Sequence, residues 1–74
     1  MAKLEIRAEI TAKVWLVEAA VGDSLGPGDP IVILESMKME FPVEAPAAGK
    51  LLAIAVAEGD AVAEGDVVAI META

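Results

Sequence analysis

The chain has neither cysteine nor histidine, which excludes thiol nucleophiles, disulfides, imidazole bases and the usual zinc ligand sets. Four Gly-Asp pairs, at Gly22-Asp23, Gly28-Asp29, Gly59-Asp60 and Gly65-Asp66, suggest metal ligands only by composition. Their regular spacing reads as turns in which each Asp side chain bonds nearby backbone, and no metal site and no catalytic residue is expected. Lys3, Lys13 and Lys50 read as strand lysines. Lys38 differs, because it stands in Glu35-Ser36-Met37-Lys38-Met39-Glu40-Phe41, a segment between two strand patterns with no Gly, Asn or Asp at its centre. A lysine amine in water is overwhelmingly the ammonium at neutral pH and a poor nucleophile. The chain has no histidine or cysteine to activate it.

The elements that must position Lys38 are strands. Residues 3–10 alternate polar and apolar, which predicts a half-buried strand with Leu4, Ile6, Ala8 and Ile10 facing one way. Residues 14–18 read as a second strand, and only a very short one fits around Leu25, inside the Gly- and Asp-rich stretch 22–29. Residues 31–34 are an apolar run rich in β-branched side chains, hence a buried strand. Helix propensity is high over 51–58 and 61–64, but Gly-Asp pairs six residues apart leave no room for a helix there.

The second half repeats the first at an offset of 37 residues: Gly22-Asp23 falls on Gly59-Asp60, Gly28-Asp29 on Gly65-Asp66, Ile33 on Ile70, Glu35 on Glu72 and Lys13 on Lys50. The join lies between Met37 and Lys38. Such a unit recurs because one copy cannot bury its own apolar face, so two small facing sheets related by an approximate two-fold are expected. Met1 and Ala74 should then approach each other at the end opposite Lys38. If Met37 and Lys38 are the central residues of a type I′ turn, each takes positive φ, a costly conformation for such side chains. A local rule broken at one place often marks a functional site.

Seventy-four residues make one domain, 1–74, and 57% of them are hydrophobic. With only Trp15 and Phe41 aromatic, the core must be mostly Val, Ile, Leu and Ala. Five basic against thirteen acidic residues give a net charge of −8, which disfavours nucleic acid and anionic lipid as partners. The longest apolar run, residues 51–57, is far short of the roughly 20 residues a membrane helix needs. A cytoplasmic protein, monomeric when isolated, is the expectation.

The segment around Lys38 resembles the Met-Lys-Met signature of biotin carboxyl carrier domains, in the biotinyl/lipoyl attachment family. Val14-Trp15, Val21-Gly22-Asp23, Gly28-Asp29, Ile33, Ala45-Pro46, Ala48-Gly49, Glu58-Gly59-Asp60 and Glu64-Gly65-Asp66 follow the same pattern. The resemblance covers nearly the whole chain. It implies an all-β fold, a flattened β-barrel of two four-stranded antiparallel sheets, with biotin joined by an amide to Lys38 at an exposed hairpin tip. Implied partners are a biotin protein ligase, which uses ATP to form the acyl-adenylate the lysine attacks, then biotin carboxylase and carboxyltransferase sites visited in turn. The lysine stem and biotin side chain would form an arm on the order of a dozen Å long.

Met37 and Met39 are read as a soft apolar surface for those enzymes, with Met39 turned partly inward. Glu35 and Glu40 flank the tip and suit basic residues on the ligase, although solubility and strand-edge protection explain them nearly as well. Two departures stand out. The first copy has Glu9-Ile10-Thr11-Ala12 where the second has Pro46-Ala47-Ala48-Gly49, which predicts a differently shaped first corner, and nothing between Val14 and Leu34 could form the protruding thumb of some acetyl-CoA carboxylase carriers. Rival readings are a lipoyl domain of a 2-oxo acid dehydrogenase complex, which usually has Asp where this chain has Met37, and a structural barrel-sandwich adaptor that needs no tip lysine.

Overall fold

Apolar alternation punctuated by Gly-Asp turns divides the chain into eight strands in the computed structural model, which describes residues 2–73. They are β1 (Ala2–Arg7), β2 (Ala12–Val17), β3 (Ser24–Leu25), β4 (Pro30–Ser36), β5 (Met39–Glu44), β6 (Gly49–Ile54), β7 (Ala61–Val62) and β8 (Val67–Thr73). They form two antiparallel four-stranded sheets, ordered β1-β8-β6-β3 and β5-β4-β2-β7. The Ala- and Leu-rich stretch after residue 48 is strand, as its closely spaced turns require. The first strand ends at Arg7 rather than at Ile10, although Ala8 remains buried.

The offset of 37 carries β1–β4 onto β5–β8 residue for residue and one sheet order onto the other. It even carries the bulges across: the register slips between Val14 and Leu16 against β4, and between Leu51 and Ala53 against β8. The halves are stitched by reciprocal main-chain bonds. Gly22 N–H donates to the Leu51 carbonyl and Gly59 N–H to the Val14 carbonyl, both at 2.8 Å. Leu51 N–H donates to Asp23 and Val14 N–H to Asp60, at 2.9 and 2.8 Å. A lone half would leave these groups unpaired.

The same exchange corrects one expectation. The corners at 9–11 and 46–48 bend alike despite their different sequences, because the residues before them are held identically: Ala8 N–H donates to Asp66 and Ala45 N–H to Asp29, at 2.9 and 2.8 Å. Main-chain bonding from the opposite half, not proline, sets the corner. In the turns themselves the Asp side chains behave as expected: Asp23, Asp29, Asp60 and Asp66 each accept from the backbone N–H three residues earlier, at 2.8–2.9 Å.

Between the sheets lies a core of equivalent pairs: Ile31 with Val68, Val32 with Ala69, Leu34 with Met71, Val14 with Leu51 and Ala8 with Ala45, all buried. The described residues contain no buried polar side chain. Trp15 stays exposed and Phe41 half-buried, so the small aliphatic residues fill the interior.

The position of the β4–β5 hairpin follows from the register. β1 runs from Ala2 to Arg7 and turns a corner into Ala12 and Lys13, and Lys13 pairs with Glu35 next to the hairpin. The start of β1 is therefore a strand's length, roughly 17 Å, from the hairpin end of a molecule 36 Å long. Met1 and Ala74 lie outside the described residues, but their neighbours Ala2 and Thr73 pair directly.

Candidate modification site

Leu34 pairs with Phe41, Glu35 with Glu40 and Ser36 with Met39, leaving Met37 and Lys38 as the two residues of a tight turn. Both take positive φ, 52° and 65°, the type I′ pattern whose twist matches that of the strands. They are the only non-glycine residues so placed among those described. The left-handed region costs about 1–2 kcal/mol for each such side chain, and the turns elsewhere put glycine in that role. A pair held there against its preference is backbone strain of the sort found at functional sites.

The tip stands clear of the protein. Met37 is 92% exposed and Met39 60%, so Met39 turns inward only in part. Lys38 is exposed and makes no ion pair among the described residues. The ladder beneath is also shorter than its counterpart. β6 and β8 stay paired out to Gly49 and Thr73, whereas β2 and β4 stop at Lys13 and Glu35. A Cβ at Gly49 would overlap the Glu72 carbonyl oxygen, so that pairing needs glycine. The equivalent residue beside the hairpin is Ala12, which has the Cβ, and Ser36 is released from β2.

Glu35 and Glu40 are exposed, face each other across the ladder and form no ion pair among the described residues. Like charges directly opposite are unfavourable. At the other end the equivalent pair is Lys3 and Glu72, of opposite charge.

Chemically, the site is an exposed primary amine at the tip of a two-strand stalk, with no carboxylate among the described residues at ion-pair distance from it. A cavity of about 410 Å³ between β1 and β5, with Ile6, Leu34, Phe41 and Val43 in its lining, does not include Lys38. The sequence reading singled out all five hairpin residues but not Trp15, which is 44% exposed on β2. The signal that could have found it was the repeat itself, which sets Trp15 against Leu52.

A family described as "Biotin-requiring enzyme" matches residues 5–71. The chain is 50% identical over 56 residues to the biotinylated protein TB7.3 homolog of Mycobacterium leprae, covering 76% of this chain and 79% of that one. It superimposes on part of the urea carboxylase of Kluyveromyces lactis with a TM-score of 0.92 and 38% identity, over 97% of this chain and 6% of that enzyme. A single-chain, multi-domain long-chain acyl-CoA carboxylase gives a TM-score of 0.88 and 30% identity, over 93% of this chain and 7% of that one. A match across almost the whole chain, on a fold whose halves meet at the Met37-Lys38 turn, makes this protein a member of the biotin/lipoyl attachment family of biotin-requiring proteins.

Proposed function

We propose that this domain is a carrier, biotinylated on Lys38 by a biotin protein ligase, that takes carboxyl groups from a biotin carboxylase site to a carboxyltransferase site. The observation that carries the reading is the Met37-Lys38 turn: a strained, exposed amine at the end of a two-strand stalk. The residues fit the group, because Lys38 is exposed at the tip and an amide there needs no buried charge. When bound, biotin supplies a ring nitrogen able to carry a carboxyl group.

The chain itself presents and does not catalyse. The Lys38 Nζ, deprotonated within the ligase, attacks the activated carboxyl carbon of biotin; an amide bond forms, the bond to the activating group breaks, and the amine proton passes to solvent. Met37 and Met39 offer apolar contact beside the amine, and Glu35 and Glu40 offer acceptors for basic side chains. The stalk is short, and travel between distant sites belongs to the whole domain. Among the described residues no helix is long and apolar enough to cross a membrane.

The test is the intact mass of the chain after incubation with a biotin protein ligase, biotin and ATP. One biotinyl group is expected, and none on Lys38→Arg, whose guanidinium stays charged. Lys38→Arg should shift folding stability by less than about 0.5 kcal/mol, as exposed positions usually do. A lipoyl adduct, or an unlabelled chain where a control carrier is labelled, overturns the proposal.

A further inference from the structure

Equivalent positions on the solvent faces of the two sheets are held in similar strand pairing, so a difference between them there points to a role beyond the core. The outward rows of the two sheets share the residues of their central strands, Ile33 with Ile70 and Glu35 with Glu72, and differ mainly at the flanks. On the sheet that ends in the Lys38 hairpin, Pro42, Ile33 and Leu16 stand in one row across β5, β4 and β2. Their equivalents on the other sheet are Glu5, Ile70 and Ala53. Trp15, exposed at the bulge beside Leu16, has Leu52 as its equivalent, half-buried. A bulge sets two residues opposite one and can re-aim a side chain. Here it leaves Trp15 44% exposed.

The next row toward the tip reads Glu40, Glu35, Lys13, Ala61, against Lys3, Glu72, Lys50, Ser24 at the other end. The hairpin row is thus net negative where its counterpart is net positive. A stable protein interface covers about 800 Å² of each partner, far more than a four-residue tip offers. An enzyme acting on Lys38 has to touch the hairpin and then extend over a neighbouring surface. This row and face continue directly from the hairpin strands.

We propose that the outer face of the β5-β4-β2-β7 sheet, made of Trp15, Leu16, Ile33 and Pro42 and fringed by Glu35 and Glu40, is where the biotin protein ligase docks. The matching surface on the ligase is an apolar patch bordered by lysine or arginine. Aromatic side chains favour such patches, and the acidic fringe selects the charge of the rim. The proposal rests on the carrier reading and extends it from the tip to a sheet face.

The experiment measures kcat and KM of a biotin protein ligase for the full chain, with biotin and ATP saturating. Trp15→Leu, Leu16→Ala and Pro42→Glu together install residues that the other sheet already holds at the equivalent positions, so the fold should persist, as circular dichroism would verify. If the triple variant unfolds, Trp15→Leu alone takes its place. KM should rise roughly tenfold, the change expected for one lost anchor, with kcat nearly unchanged. Glu40→Lys should raise KM several-fold at low salt and less at high salt. The reciprocal changes Leu52→Trp and Ala53→Leu should alter neither constant. An unchanged KM in the first set, or an equal rise in the second, overturns the docking face while leaving biotinylation of the wild-type chain intact. A wild-type chain that takes no biotin removes the carrier reading, and this proposal with it.

Discussion

At Met37 and Lys38 the backbone adopts a conformation that glycine and asparagine suit better. On the carrier proposal the lysine is kept for its amine, and the turn keeps its strain because it holds that amine at the tip. Relief of that strain should therefore stabilise the domain and destroy its function. Met37→Asn with Lys38→Gly is expected to gain about 1–2 kcal/mol, which in a domain of this size raises the thermal midpoint by roughly 4–16 °C. Calorimetry together with intact mass would check both halves of the statement. A double variant no more stable than the wild type would mean that the turn is unstrained.

At the level of strands, the repeat makes each element a control for its equivalent. β6 and β8 run one pair further than β2 and β4 because Gly49 lets the Glu72 carbonyl approach. Gly49→Ala forces the backbones apart and should cost about 1–3 kcal/mol, in the range of overpacking. Ala12→Gly, at the equivalent place beside the hairpin, has only the backbone entropy of glycine against it and should cost about 1 kcal/mol or less. Urea unfolding of the two variants gives the comparison, and equal losses would deny the close approach its role.

For the whole molecule, the direct pairing of Ala2 with Thr73 has the same geometry as that of Ser36 with Met39. Residues paired in this way have Cα atoms about 5 Å apart, within reach of a two-residue turn. A permuted chain in which Asn-Gly joins Thr73 to Ala2, opened between Met37 and Lys38, should fold into the same two sheets, since every inter-half bond survives. Its circular dichroism and cooperative unfolding would show this. A permutant that does not fold would mean that the covalent hairpin, rather than the reciprocal bonding of the halves, organises the protein.

Local patterns along the chain specify the strands, the repeat and the lysine proposed as the acceptor. Period-two alternation and Gly-Asp turns are local signals, and a duplication is visible wherever both copies keep their turn residues. The family pattern around Lys38 is likewise contiguous in the chain. Other features were decided only in three dimensions. The bend at residues 9–11 comes from bonds to Asp66 and Gly65 in the other half, so its own residues gave a false cue. The release of Ser36 from β2 and the outward placement of Trp15 depend on the register of β2 against β4. Register is set between distant segments through the shared core and the reciprocal main-chain bonds, and no single stretch of the chain encodes it.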